Sequence, residues 1–405
     1  MTDRVCSSSS VLTKYGFLML FVGFFVYWAA VSAGVVPRFL GGFAPAMSAL
    51  CIGLFIAGTV SRGFAVVNRL DVGMLVFMTL LAFLTGWGFA FRSRIDVLES
   101  NVSMLLQWGA LYLVFRGIEI SRSSLRIFLF SIVAMGFFIV RSFLDGLSQP
   151  LFYVDPESLP TYQAYGFYFA IAALLALAVA ESVALRAVVV VGSLALLVIV
   201  GSRSELVLFT VGFVVIALRR LSLSSLAIQV AIVVSGGALL VPLAEFVEGN
   251  RIVWWFNLWR EQGELVGDPL RPILNEEGVR MIGEHPLMGS FAYYEPGQYA
   301  HNILSLWAEF GMLPFLLYCA LLCVAFWAFI KAPARRCDGD GAADFGLAVL
   351  VGGVVLLVAA KSYGYFTVPV ALGVASAMLK RETNGWAGTV RRVQYTRIIT
   401  KNNSR

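Results

Sequence analysis

The chain has 405 residues, of which 59% are hydrophobic and only 13% charged, with a formal net charge of +6 and a mean hydropathy of +0.83. Soluble domains carry roughly 25% charged residues, so a soluble fold is excluded, and the positive excess reads as membrane topology, not as a nucleic-acid footprint. The five cysteines, Cys6, Cys51, Cys319, Cys323 and Cys337, fall in apolar runs or at their cytoplasmic ends, so neither a disulfide framework nor a thiolate metal site is expected.

With about 20 apolar residues taken as one membrane crossing, the sequence predicts helices over 17–36, 39–60, 71–91, 101–118, 125–144, 162–180, 186–200, 205–218, 224–243, 301–330, 345–360 and 362–379. The first run lacks a small-residue cleavage site and more spans follow at once, so it reads as an anchor and not as a cleaved signal. The seventh and eighth segments are short and meet at a polar turn, Gly201-Ser202-Arg203-Ser204-Glu205. The expected fold is an all-α polytopic integral membrane protein of about twelve transmembrane helices, with one large periplasmic loop between the ninth and tenth. Its parts are helices 1–9 over 1–244, the loop with amphipathic helices over 245–300, helices 10–12 over 301–380 and a basic cytoplasmic tail over 381–405.

Placing the N-terminus in the cytoplasm puts Arg62, Arg69, Arg116, Arg122, Arg126, Arg219, Arg220, Lys331, Arg335 and Arg336 on the same side as the basic tail. Of the 30 Lys and Arg residues only ten fall opposite: Arg38, Arg92, Arg94, Arg141, Arg203, Arg251, Arg260, Arg271, Arg280 and Lys361. That bias orients the chain in its membrane with both termini cytoplasmic. In the loop, Ile252, Trp255, Phe256 and Trp259 recur at helical spacing beside Arg251, Asn257 and Arg260. The pattern suits a helix lying on the lipid surface or one packed against the bundle.

Nine of the ten outer basic residues are arginine, whose planar guanidinium suits phosphate oxygens. Acidic neighbours such as Glu261, Glu264, Glu276, Glu277 and Glu284 also leave salt bridges open as their role. Arg203 stands out because it sits in a tight turn between two apolar helices, where an ionisable group tends to mark a site. Arg141 is a weaker candidate that can snorkel to the headgroups. The chain has two histidines. His301 is expected at the start of the tenth helix, where an imidazole can accept a proton from a sugar hydroxyl or hydrogen-bond the helix backbone. His285 precedes Pro286, which ends the helical stretch before it and favours a structural role. No zinc or magnesium signature and no nucleotide-binding glycine loop is found, so no metal and no cofactor is expected.

Two stretches carry a family likeness. They are Gly201-Ser202-Arg203-Ser204-Glu205-Leu206, and the run from Arg271 through His285-Pro286-Leu287-Met288-Gly289 to His301-Asn302-Ile303-Leu304-Ser305-Leu306-Trp307-Ala308-Glu309-Phe310-Gly311. Together they resemble the O-antigen ligase and polymerase superfamily, in which a G-S-R turn opens a helix. In that family an arginine also lies about fourteen residues before an H-P-L-x-G element, as Arg271 lies before His285, and an H-N-x-x-L-x-x-x-x-E-x-G helix follows the loop. This chain has Gly289-Ser290-Phe291 where the family usually has G-x-G, and the likeness covers its second half only.

The resemblance implies a GT-C-like enzyme that transfers a glycan from undecaprenyl diphosphate to a lipid A-core hydroxyl, inverting and metal-independent. It makes His301 the catalytic proton acceptor or aligner and Arg203 and Arg271 the diphosphate ligands, with Arg280 a third contact. The partners implied are the lipid-linked glycan donor, the lipid A-core acceptor and membrane lipids, with no nucleic acid. Within the family the reading leans to ligase over polymerase, because the arginine-to-glycine spacing of eleven residues found in some polymerases does not occur in the outer loops. The reading from another class is a polysaccharide or lipid transporter or flippase, which would place its charges at mid-depth in paired repeats.

Overall fold

The computed structural model describes residues 3–37, 42–60, 67–144, 162–220, 270–292, 300–332 and 341–380, and these are helical with no strand among them. The helices are α1 (Asp3–Ser32), α2 (Phe43–Val60), α3 (Arg69–Arg92), α4 (Ile95–Gly117), α5 (Leu125–Leu144), α6 (Tyr162–Val179), α7 (Val183–Val200) and α8 (Arg203–Arg220). After these come α9 (Leu270–Glu284), α10 (Ser305–Phe310), α11 (Met312–Lys331), α12 (Ala342–Ala359) and α13 (Thr367–Lys380).

Six of the described helices are long and apolar enough to cross a membrane, and three shorter apolar helices, Phe43–Ala57, Gln163–Val179 and Thr367–Lys380, accompany them. Their outward faces are apolar too: Val133 is 70% exposed, Phe137 61% and Trp327 60%. Apolar area left in water forgoes roughly 25 cal/mol per Å², whereas lipid tails accept such side chains without that loss. This is the build of an α-helical membrane protein. The ninth expected helix over 224–243 and the amphipathic run at Ile252–Trp259 lie outside the described residues, as do Arg38, Arg251 and Arg260.

At the centre stands α6, where every residue from Tyr165 to Ala180 is buried. A helix apolar all round has no face for solvent, and its alanines at 170, 172, 173, 176 and 178 let α5, α7, α8 and α12 approach closely. The helices alternate in direction, so their termini gather at two ends.

At the basal end Asp71 begins α3 in a capping box with Asn68. Its carboxylate accepts from Arg116 Nε at 2.6 Å, Arg116 Nη2 at 2.8 Å, Tyr112 Oη at 2.5 Å and Ser376 Oγ at 2.6 Å, joining α3, α4 and α13. Also basal, Asp344 of α12 pairs with Arg219, at 3.1 Å, and with Arg220, while Arg220 donates to the Ala178 carbonyl of α6.

The tenth expected helix, 301–330, is a correction. The chain makes a bend at His301, the six-residue α10 and then α11, broken at Gly311 with φ +86°. The cause is a tertiary contact with the turn that follows α9.

Candidate functional site

The apical end collects the end of α3, the start of α6, the α7–α8 turn, α10, and the α12–α13 connection. Gly201 closes α7 in the left-handed region at φ +73°, and α8 begins two residues later at Arg203. Ser202 and Glu205 are both 0% exposed, whereas Arg203 points out and is exposed. The charge sealed into the turn is therefore the glutamate. Glu205 accepts from Ser202 Oγ, from Ser204 Oγ at 2.7 Å and from Tyr365 Oη at 3.3 Å, and it pairs with Lys361 Nζ at 3.3 Å. Lys361 also donates to Gln163 Oε1 at 2.7 Å and lies 5.1 Å from the centroid of the Tyr365 ring. A buried carboxylate is tolerable only when paired and hydrogen-bonded, and here the pairing locks the turn that carries Arg203.

The two later motifs interlock. The helix α9 ends at Glu284, His285 N still donates to Met281 O at 2.8 Å, and Pro286 turns the chain away. The Pro286 carbonyl then accepts from Met312 N at 3.1 Å and from Trp307 Nε1 at 2.8 Å, and Ser290 N donates to Ala308 O at 2.7 Å. Backbone meets backbone so closely that a Cβ on Gly311 would overlap the Leu287 carbonyl and one on Gly289 that of Glu309. Gly311 also holds φ +86° with ψ −177°, a conformation reserved for glycine. Those two demands break the expected long helix.

His301 is half-buried and lies in the bend before α10. Its backbone N–H donates to Asn275 Oδ1 of α9 at 2.9 Å, which also accepts from Asn302 Nδ2 at 3.3 Å. Ser305 Oγ donates to the Asn302 carbonyl at 2.8 Å and accepts from Tyr363 N at 3.1 Å. The segment 361–365 thus touches both motifs, Lys361 and Tyr365 holding the Arg203 turn and Tyr363 holding the His301 bend.

Arg271 lies in the first turn of α9, four residues before Asn275, and its side chain is outside the described residues. Arg280, on the same helix, is 56% exposed, with Glu277 at 3.8 Å and Glu284 at 3.9 Å. Glu309 is half-buried in α10, outside the six spans. Burial pushes its carboxyl up to about 7, against the opposing pull of the Tyr363 hydroxyl, which donates to it.

Sequence reasoning passed over Glu205, Lys361 and Glu309 as site-forming groups. The signal available was weak: a carboxylate inside a G-S-R-S-E turn and another inside an E-x-G element. Among the described residues no three His, Cys, Asp or Glu side chains gather as a metal-binding group. No family model and no curated protein matches this chain.

Proposed function

We propose that this chain is a glycosyltransferase of the bacterial inner membrane, an O-antigen ligase that moves a glycan from undecaprenyl diphosphate to a lipid A-core hydroxyl. In this reading the apical end faces the periplasm, both termini are cytoplasmic, and about twelve crossings complete the bundle, with the ninth expected over 224–243. One observation supports it most. The G-S-R-S-E turn, the H-P-L-x-G turn and the H-N…E-x-G bend meet at one end of a membrane bundle, tied by the segment Lys361–Tyr365.

The chemistry follows from those residues. The acceptor oxygen attacks the anomeric carbon from the face opposite the diphosphate, the bond from that carbon to the phosphate oxygen breaks, and the configuration inverts. His301 receives or aligns the hydroxyl proton. The departing diphosphate gains charge, which the guanidiniums of Arg203 and Arg271 stabilise, with Arg280 the outer contact.

The test is deletion of the gene in its host and complementation with wild type or His301→Ala at matched protein levels. The lipopolysaccharide bands and the undecaprenyl-linked glycan pool are then followed together. A ligase loses long lipid A-linked bands while long polymer accumulates on the carrier. Bands cut to a single repeat on core would replace ligase by polymerase, and an unchanged profile on deletion would overturn the transferase reading.

A further inference from the structure

Between the apical end of α3 and the turn after α9 lies a cavity of about 240 Å³, lined by Trp87, Phe91, Arg92, His285, Ser290 and Glu309 among others. Its walls are fixed by packing. Phe291 fills the space that a side chain at Gly88 would need, and its ring meets that of Phe310 edge-on at 5.8 Å. The α3 wall is aromatic, with Trp87 and Phe91 centroids 5.0 Å apart and both rings exposed, at 52% and 71%.

The polar groups narrow what could sit there. Glu309 accepts the Tyr363 hydroxyl and is among the residues that line the cavity, and a carboxylate has about four acceptor sites. A lipid tail would strip water from that carboxylate and return no hydrogen bond. A phosphate or diphosphate would meet a like charge. A polyol with one apolar face suits every wall: hydroxyls donate to Glu309 and accept from the Arg92 guanidinium and the His285 imidazole, while ring C–H groups lie on Trp87 or Phe91. Clefts for drug-sized ligands run to roughly 300–1,000 Å³, so this smaller one takes a single ring.

We propose that the cavity binds one uncharged hexopyranose ring of the glycan being transferred, with Trp87 as the stacking platform and Glu309 as the hydroxyl acceptor. This assignment rests on the transferase reading. The ring can belong to the donor glycan or to the core acceptor, and the two are distinguishable.

The experiment is ligand-observed saturation-transfer NMR on the full chain in detergent. The probes are the methyl pyranosides of glucose, galactose and mannose, and N-acetylglucosamine, each at millimolar concentration. At least one sugar is expected to take saturation through its ring C–H protons, and Trp87→Ala and Glu309→Gln are each expected to cut it at least threefold. Trp87 is exposed, so its removal does not threaten the fold. Displacement by extracted lipid A-core assigns the ring to the acceptor, and displacement by the extracted lipid-linked glycan assigns it to the donor. Saturation of no probe, equal saturation in both variants, or displacement by inorganic diphosphate would overturn the proposal. Sugar binding in a protein whose deletion leaves lipopolysaccharide unchanged would keep the cavity and remove the transferase. A working transferase that binds no probe would do the reverse.

Discussion

At the basal end, Asp71 and Asp344 are wrapped by Arg116, Arg219 and Arg220, and the donors of those arginines reach carboxylates or main-chain carbonyls. At the apical end the Glu205–Lys361 pair is the one buried in this way among the described residues, while the Arg94–Asp96 pair is part-exposed, Arg92, Arg203 and His285 stand exposed and Glu309 lines a cavity. The same residue types therefore do different work at the two ends of one bundle. Basal charges tie helices together across long stretches of chain, and apical charges are held in place by a second set of charges and left facing outward. A positive-inside count sees the basal arginines only as topology markers, yet three of them are ion-pair partners of the buried Asp344 and the largely buried Asp71.

The sharpest way to break this comparison is to open a basal lock. Arg116→Met leaves the largely buried Asp71 beside Tyr112 and Ser376 with no countercharge, and removing one partner of a fully buried pair costs about 3–5 kcal/mol, an upper bound here. Thermal unfolding in detergent should show a large loss of Tm, and Asp71→Asn added to Arg116→Met should restore much of it. If Arg116→Met unfolds like wild type, the basal network does not hold the helices.

Lys361→Met applies the same logic apically. It strands Glu205, which keeps its hydroxyl donors from Ser202, Ser204 and Tyr365, so the loss should be smaller, about 2–3 kcal/mol within the range for buried pairs and charged hydrogen bonds. The transferase reading adds a second consequence: ligation should fall further than folded protein does, because the turn carrying Arg203 loosens. Glu205→Gln with Lys361→Met should recover stability before it recovers ligation. Equal recovery of both would make the pair purely structural.

How much of this could be read in the sequence differs between the two ends as well. The helices come from apolar runs of membrane length, and the run over 125–144 coincides with α5. The break at Gly311 is invisible locally, because Leu304, Leu306, Trp307 and Phe310 continue the apolar run and glycine is tolerated in membrane helices. What breaks the helix is the Leu287 carbonyl, supplied from another segment. That Glu205 and not Arg203 is the charge sealed into its turn is hidden for a similar reason. The lysine that makes burial of Glu205 affordable lies far along the chain, beyond α12.

Gly311→Ala tests that interlock. A Cβ there must displace the Leu287 backbone and adopt a conformation kept for glycine, a cost of about 1–3 kcal/mol before any rearrangement. The bundle should survive, since the cost falls at the apical turn and leaves the basal locks intact. Limited proteolysis should begin to cut between His285 and Met312, and on the transferase reading ligation should be lost. A resistant, active Gly311→Ala protein would mean that the two motifs do not need each other.

The smallest effect concerns Glu309, whose carboxyl is raised to about 7 by burial, accepts from Tyr363 and shares the cavity lining with Arg92 and His285. A raised carboxyl pKa means that the folded protein holds its proton where the unfolded chain has already lost it. This contribution to stability is thus present at low pH and declines as pH rises from the ordinary carboxylate range to about 7. Sugar binding runs the other way, because the ionised carboxylate is the stronger hydroxyl acceptor. Hexose saturation should therefore grow as pH rises through about 7 in the wild type and stay flat in Glu309→Gln, while the variant loses part of the wild type's decline in Tm. His285 lines the same cavity, so His285→Gln serves as the control: if it abolishes the pH dependence and Glu309→Gln does not, the imidazole and not the carboxylate governs the cavity.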